Sequence, residues 1–311
     1  MKVYTDTRDA TFGELYSIAL QNPDVVVLSA DTGARIFKEF QRNIPKQFLN
    51  VGVSEQNAMS VAAGLALTGK KVFVFGISNF VTLRCYEQIR NDICCMDLPV
   101  TVLGMGTGYV YSIDGPTHHI TQDISIMRAL PGMTIWSPSD YTMVGALVHM
   151  AYKSPGPKYI RIDKGPFTPI YDPGKLDFSD GLATVKSGKD LTIVATAIMV
   201  TQALKVVEEL AIHGVDAGIV DFYRLKPANN RFFLEAVSHS KRIVTLEEHT
   251  IAGGLGSIVC EIMADQGTTI PVKRIGIPDN YRLEVGSRAW VQSLDGLDVY
   301  GITKTILDWI E

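Results

Sequence analysis

The sequence predicts an α/β protein made of two consecutive α/β domains with mainly parallel sheets. Two observations support this prediction. Short apolar segments of strand length alternate with longer segments of helical spacing along most of the chain. The short segments carry few alternating polar positions, which is typical of parallel strands covered by helices on both faces. We therefore expect ligand-binding loops at the carboxyl ends of the strands.

The length of 311 residues is typical of about two domains. We place the first α/β domain at 1–170 and the second at 190–311. Between them, 171–189 is predicted as a linker, because prolines, glycines and aspartates occur there with weak periodicity.

The elements follow from the apolar pattern. In the first domain we predict strands at 25–28, 72–75, 100–103, 133–136 and 159–162, and helices at 12–20, 58–67, 84–95 and 141–152. In the second domain we predict strands at 191–197, 216–221, 242–246 and 272–276, and helices at 200–213, 231–238, 257–264 and 303–310. The glycine-rich stretch 253–256 matches a dinucleotide fingerprint only weakly, because its spacing is wrong, and we interpret it as a structural turn.

The composition argues against several classes of partner. The net charge is −4 and no basic block occurs, so nucleic acid and anionic membranes are poor candidates. The apolar stretches are too short to span a bilayer, and the N-terminus lacks the apolar region of a signal peptide. The four cysteines show no C-x-x-C spacing, so we expect reduced thiols, no metal site and a cytoplasmic protein.

Glu55 is the first candidate for chemistry. It stands just before a run of small apolar residues, 58–66, whose spacing predicts a buried helix. A carboxylate at that position could cap the helix N-terminus, or it could have a function.

Further polar residues fall at the ends of predicted strands. They are Asp31, the stretch 78–80 and the loop 112–119. Because strand-end loops of one sheet converge, these residues and Glu55 could share one site. In the loop, Asp114, His118 and His119 offer a carboxylate and two imidazoles for general acid–base chemistry, although isolated loop histidines often only satisfy backbone groups.

The motifs resemble a known family. The stretches 51–66, 84–90, 113–118 (Ile-Asp-Gly-Pro-Thr-His) and 137–140 resemble the pyrimidine-binding half of the transketolase family of thiamine diphosphate enzymes. The stretches 245–250 and 253–256 resemble the C-terminal domain of that family. The resemblance covers nearly the whole chain.

The resemblance implies roles at the cofactor. Glu55 matches the glutamate that hydrogen-bonds N1′ of the aminopyrimidine and so favours the imino tautomer, which activates C2 of the thiazolium. Phe80 resembles the aromatic residue that stacks on the aminopyrimidine. Counted back from Arg84, Val81 takes that place instead. Asp31 resembles an aspartate near the cofactor, although it could equally be a turn residue.

The resemblance also implies substrate contacts. His118 resembles the histidine that binds the donor's carbonyl and hydroxyl region, and Asp114 the aspartate that binds a substrate hydroxyl. Four cationic side chains could bind the anionic group of the sugar: Arg8, Arg35, Arg84 and Lys164. Arg8 resembles a family arginine that holds the sugar phosphate, whereas Arg35 falls where transketolases have a serine. Lys164 replaces a family arginine and supplies a point charge in place of a bidentate fork. The anion could therefore be a phosphate, a sulfonate or a carboxylate.

One part of the family's cofactor site is missing from the sequence. The family binds the diphosphate and Mg²⁺ with a Gly-Asp-Gly motif in a separate domain, and this chain contains no Gly-Asp-Gly. The chain thus resembles the C-terminal subunit of a split transketolase. We expect an N-terminal partner subunit with that motif, an α2β2 assembly and an inactive single chain.

Three alternatives stay open. A 1-deoxy-D-xylulose-5-phosphate synthase-like reaction is one, although Thr107 stands where that branch has an arginine. A 2-oxo acid dehydrogenase E1 β-like subunit has the same layout, but the Asp-Gly-Pro-Thr-His motif favours sugars. A regulatory or scaffolding paralogue is the third, and we expect such a protein to lack Glu55.

Overall fold

The computed structural model describes residues 6–165, 169–172 and 177–311. The chain divides into two compact units. The first consists of Met1–Thr107 and Ile126–Asp177, and the second of Gly108–Ser125 and Phe178–Glu311. The segment Gly108–Ser125 therefore belongs to the second unit, although it lies inside the range that the sequence assigns to the first domain.

The first unit alternates helices and strands, as the sequence predicts. Its elements are α1 (Thr7–Gln21), β1 (Val25–Ser29), α2 (Phe37–Asn43), β2 (Phe48–Asn50), α3 (Glu55–Leu67), β3 (Lys71–Ile77), α4 (Ser78–Thr82), α5 (Tyr86–Gln88), a π-helix (Ile89–Cys94), β4 (Val100–Met105), α6 (Asp123–Arg128, which extends into the second unit), β5 (Thr134–Trp136), α7 (Tyr141–Lys153) and β6 (Lys158–Ile162).

The strands of this unit run in the order β5-β6-β4-β3-β1-β2, and every neighbouring pair is parallel. All five residues of β1 are buried, which explains its nearly continuous apolar sequence. The residues of β6 are buried as well, although Lys158 and Arg161 are among them. Since the strands are parallel, the loops after β1, β3, β4 and β6 leave the same edge of the sheet. Most of the predicted site residues of this unit lie at that edge.

Aromatic side chains fill the space beside β1 and β3. The ring of Phe12 in α1 packs edge-on against Phe75 in β3, with 4.5 Å between centroids, and Phe37 lies 4.9 Å from Phe12 and 4.7 Å from Phe48. Burying such rings contributes about 1.5–3 kcal/mol each. The cluster fixes α1 and α2 against the sheet that carries the site.

The second unit is also α/β. Its elements are β7 (Ala183–Lys186), β8 (Leu191–Ala195), α8 (Met199–Ile212), β9 (Ala217–Asp221), β10 (Arg224–Lys226), α9 (Asn230–Val237), β11 (Ile243–Thr250), α10 (Leu255–Asp265), β12 (Val272–Ile277), α11 (Arg288–Leu294) and α12 (Val299–Ile310). Five of them form a sheet in the order β12-β11-β8-β9-β7, in which β7 is antiparallel and the other pairs are parallel. The predicted α/β class with mainly parallel sheets is confirmed.

Two sequence-based assignments need correction. The continuous helix predicted at 84–95 is instead a turn, the short helix α5 and a π-helix. The predicted linker 171–189 is too long, because its residues 183–186 form the edge strand β7. Residues 173–176 of that linker, and residues 1–5 before α1, lie outside the described residues.

None of the described helices is both long and apolar enough to cross a membrane.

Candidate active site

Glu55 is the first residue of α3, at the end of the loop that follows β2. Its side chain is only 5% exposed. Ser54, at the N-cap position, makes no capping bond with its side chain, and the Glu55 carboxylate accepts a hydrogen bond from Arg84. A nearly buried carboxylate needs such a partner, because desolvation penalises an unpaired charge.

The two candidates for the aromatic contact differ in burial. Val81 in α4 is completely buried, and its Cγ1 lies 2.4 Å from where a Cβ on Gly76 would stand, so it packs on the backbone of β3. Phe80 is half-buried, and the guanidinium of Arg84 lies 4.6 Å from its ring centroid. A flat ligand could therefore stack on Phe80, whereas Val81 belongs to the core.

Arg84 contacts both Glu55 and Phe80. Its Nη1 donates to Glu55 Oε2 at 2.9 Å, while its guanidinium carbon lies over the Phe80 ring. The next residue, Cys85, is buried and donates its Sγ–H to the Phe80 carbonyl at 3.1 Å. The pKa of the Cys85 thiol is raised to about 12, mainly by burial and also by the negative charge of Glu55, while the positive charge of Arg84 opposes both effects.

Asp31 is held by a residue that the sequence does not single out. It follows β1 in the left-handed region, with φ +57°, and is exposed. Asn50, at the end of β2, donates from Nδ2 to Asp31 Oδ1 at 3.0 Å and accepts the Asp31 N–H at 3.2 Å. The pair fixes the loop between β1 and α2.

Two of the predicted cations, Arg8 and Lys164, belong to the region where the start of α1 meets the end of β6. Arg8 lies in the first turn of α1, and Lys164 follows β6. The Thr7 hydroxyl donates to the Asp163 carbonyl at 2.6 Å, and Thr107 Oγ1 donates to Asp163 Oδ2 at 2.9 Å. These bonds bring the start of α1 to the end of β6, so the two cations belong to one region. Arg35 is exposed in the turn before α2.

Asp114 and His118 lie in the segment Gly108–Ser125 of the second unit. Asp114 is exposed and donates its N–H to the Tyr111 carbonyl at 2.9 Å. His118 is half-buried, with Nδ1 3.0 Å from Thr117 Oγ1. The two residues share one tight loop, and their convergence with Glu55 stays a prediction.

His119 has a different environment. It is buried, and its ring packs edge-on against Tyr109 at 4.9 Å. Burial lowers the pKa of His119, and the neighbouring His118 lowers it further. His119 is therefore suited to a neutral structural role, and His118 is the better candidate to meet a substrate.

The second unit also contains buried carboxylates that the sequence analysis did not select. Glu247 accepts the N–H groups of Leu255 at 2.7 Å and Gly256 at 2.8 Å, and so caps α10. Glu248 accepts hydrogen bonds from Arg288 Nε at 3.0 Å and Gln292 Nε2 at 2.6 Å. The run Glu247-Glu248-His249 in a strand is the available signal, since charged residues are rarely buried unless they are paired. Among the described residues, no three His, Cys, Asp or Glu side chains form a group that could bind a metal ion.

Two family models match the chain. The model of the transketolase pyrimidine binding domain matches residues 4–168, and that of the transketolase C-terminal domain matches residues 181–302. The first covers the unit that holds Glu55 and Phe80, together with the loop that holds His118.

Individual relatives cover nearly the whole chain. The chain is 35% identical to a subunit of the apulose-4-phosphate transketolase of Phocaeicola vulgatus, over 100% of the chain and 97% of that protein. It is 33% identical to the 6-deoxy-6-sulfo-D-fructose transketolase subunit SqwH of Clostridium sp., over 96% of the chain and 92% of that protein. Among solved structures, a split-gene transketolase in an inactive β4 tetramer superposes with a TM-score of 0.86 at 32% identity, over 98% of each chain.

Proposed function

Because this chain belongs to the transketolase family, as a split subunit with the pyrimidine-binding and C-terminal domains, we propose that it takes part in two-carbon ketol transfer. The reaction moves a two-carbon unit from a ketose to an aldose acceptor and depends on thiamine diphosphate. The observation that supports this most directly is the nearly buried carboxylate of Glu55 beside the half-buried ring of Phe80.

The residues present fit an aminopyrimidine. Glu55 can accept a hydrogen bond from a ring N–H, as it accepts one from Arg84 Nη1 at 2.9 Å. Phe80 offers an aromatic face, because a planar cation already lies 4.6 Å from its centroid. When bound, thiamine diphosphate would supply a nucleophilic carbon for the ketose carbonyl and an electron sink for the two-carbon fragment. Glu55 would hold the pyrimidine in its reactive tautomer, and Phe80 would fix the plane of the ring.

The remaining site residues would bind the sugars. His118 is assigned to the carbonyl and hydroxyl region of the donor, and Asp114 to a substrate hydroxyl. Arg8 and Lys164, on one loop region, can hold an anionic head group by charge. Relatives named for a phosphorylated sugar and for a sulfonated sugar support an anionic substrate of either kind.

We further propose that the active enzyme needs a partner. The chain has no Gly-Asp-Gly motif, so an N-terminal subunit would supply the diphosphate and Mg²⁺ site in an α2β2 assembly. The similar structure described as an inactive β4 tetramer agrees with an inactive single chain. Turnover by the purified chain with thiamine diphosphate and Mg²⁺ alone would contradict this requirement.

Glu55→Gln tests the function directly. In the reconstituted pair, assayed with ketose and aldose phosphates and with sulfonated analogues, we expect turnover to fall by roughly 10²–10⁴-fold, because a neutral amide cannot act as the acid–base group. The matched control is Glu87→Gln, an exposed glutamate on α5, which should retain activity. Both variants should elute with the partner subunit in size-exclusion chromatography.

The alternatives predict other results. A scaffolding paralogue would keep full activity in the Glu55→Gln complex. A 1-deoxy-D-xylulose-5-phosphate synthase-like or E1 β-like subunit would consume pyruvate or another 2-oxo acid in the same assay, and the wild-type pair would then fail to use ketose donors.

A further inference from the structure

The guanidinium of Arg84 makes two contacts at once. Its Nη1 donates to Glu55 Oε2 at 2.9 Å, and its Cζ lies 4.6 Å from the centroid of the Phe80 ring. One flat cationic group therefore uses both the acid and the aromatic face that the proposed function assigns to the cofactor. The side chain of Arg84 is 47% exposed, whereas that of Glu55 is 5% exposed. Arg84 thus reaches Glu55 from the solvent side.

The burial of Glu55 explains why such a group is needed. A carboxylate removed from water is destabilising unless a charged or hydrogen-bonded partner compensates for the lost solvation. Cys85 is buried beside this ion pair, and its thiol pKa responds to both charges. Arg84 supplies this compensation through its bond to Glu55.

We infer that Arg84 is a placeholder for the aminopyrimidine: it occupies the Glu55–Phe80 position in the cofactor-free chain and leaves when the pyrimidine binds. This inference rests on the proposed function. A guanidinium and a protonated aminopyrimidine are both planar and delocalised, and both present N–H donors along one edge. The two would compete for Glu55 Oε2 and for the Phe80 ring, both of which Arg84 contacts.

The contact of Arg84 with Glu55 should weaken cofactor binding but position Glu55. Cofactor binding must break the Arg84–Glu55 hydrogen bond, which weakens the observed affinity by the fraction of chains in which the position is free. In return, the hydrogen bond from Arg84 keeps the Glu55 carboxylate oriented before the cofactor arrives. The inference makes Arg84 a positioning residue at the pyrimidine, while its predicted contact with the substrate anion stays a prediction.

The test uses the full chain and a neutral probe, 4-amino-5-hydroxymethyl-2-methylpyrimidine, so that charge repulsion by Arg84 does not affect the result. Dissociation constants are measured by ligand-detected NMR for the wild type and for Arg84→Gln. We expect Arg84→Gln to bind about tenfold more tightly, because the competing charge-assisted bond is absent. Arg90→Gln is the matched control: Arg90 is exposed and bonds Asn91, and this variant should bind like the wild type.

Two other outcomes are informative. Equal or weaker binding by Arg84→Gln would overturn the placeholder and make Arg84 a permanent part of the site, while the proposed function would stand. If no variant and no wild-type chain binds the probe at any soluble concentration, the proposed pyrimidine site and the placeholder are both contradicted.

A stability measurement checks the first contact separately. Arg84→Gln should lower the melting temperature, because the nearly buried Glu55 carboxylate then lacks its cationic partner. In a Glu55→Gln background, the loss caused by Arg84→Gln should be much smaller than in the wild-type background. An equal loss in both backgrounds would contradict the compensating role of Arg84.

Discussion

Gly108 lies against the carboxylate of Glu248: a Cβ built on Gly108 would stand 2.2 Å from Glu248 Oε2. Gly108 also has φ +52°, a conformation that residues with a side chain rarely adopt. Glu248 cannot move aside easily, because Arg288 and Gln292 hold its oxygens. The start of the segment Gly108–Ser125 is thus fixed by a buried ion pair of its own unit.

Gly108→Ala should therefore destabilise the protein strongly. We expect the free energy of unfolding to fall by about 3 kcal/mol, from the left-handed backbone and the steric clash together. Chemical denaturation followed by circular dichroism measures the change. Gly214→Ala is the control, since Gly214 has φ +76° and open space around it. This control should lose only about 1 kcal/mol, and equal losses in the two variants would refute the steric part of the explanation.

Glu247→Ala should loosen helix α10. The substitution removes the acceptor for the Leu255 and Gly256 N–H groups and leaves both donors buried and unpaired. We expect a loss of about 2–3 kcal/mol in unfolding free energy. Hydrogen exchange should show faster exchange at these two amides. Glu208→Ala, an exposed position on α8, should change neither measurement, and unchanged exchange in Glu247→Ala would contradict the capping role.

Elements with long apolar runs could be predicted from the sequence. Elements with an unusual backbone conformation or a weakly apolar sequence could not. Strand β1 could be predicted because its residues are buried on both faces of the sheet and are therefore almost all apolar. The stretch 84–95 is misassigned because Cys85, Ile89 and Ile93 are buried at the spacing of an α-helix, although the backbone adopts a π-helix. Strand β7 is missed because its burial alternates and its sequence is weakly apolar.

The candidate site divides in the same way. The position of Glu55 at a helix start follows from the apolar run behind it. The contact between Asp31 and Asn50 joins residues 19 positions apart in the chain, and no local pattern predicts it. The contact of Arg84 with Phe80 has a signal in its i, i+4 spacing, but its bond to Glu55, 29 residues away, needs the tertiary structure.

Lys158→Met should change how stability depends on pH. Lys158 is 1% exposed, and burial lowers its pKa from 10.5 to about 8, with a further contribution from Lys71. Between pH 8 and pH 10.5 the unfolded wild-type chain binds more protons than the folded chain. The stability of the wild type therefore rises as the pH increases through this range and falls as the pH decreases toward 8. At pH 7 the variant should be more stable than the wild type by on the order of 1 kcal/mol, after losing the bond from Lys158 to the Gly156 carbonyl.

This advantage should shrink as pH rises from 8 to 10.5. Thermal melts of both proteins across that range measure it. Lys38→Met, at an exposed position of α2, is the control and should follow the wild type at every pH. A constant difference between Lys158→Met and the wild type would show that Lys158 is not destabilised by its charge.

Thiol labelling should distinguish the reactivity of Cys95 from that of Cys85. Cys95 is exposed, while Cys85 is completely buried and has its pKa raised to about 12 by burial and by Glu55. At pH 8 a thiol reagent should modify Cys95 in the native chain and Cys85 only after unfolding, because the thiolate is the reactive form. Peptide mass spectrometry identifies the sites, and Cys95→Ser should lose the fast reaction. Native labelling of Cys85 at a similar rate would contradict its burial.

The membership of Gly108–Ser125 in the second unit has a consequence for modular exchange. The chain passes between the units at 107/108, at 125/126 and at 177/178, so they are interleaved along the sequence. A chimera joined only at the predicted linker would combine the proposed substrate loop of one homologue with the C-terminal unit of another. Recombination between homologues should therefore succeed more often when 108–125 and 178–311 are inherited together. By this division, the second unit is discontinuous in the gene.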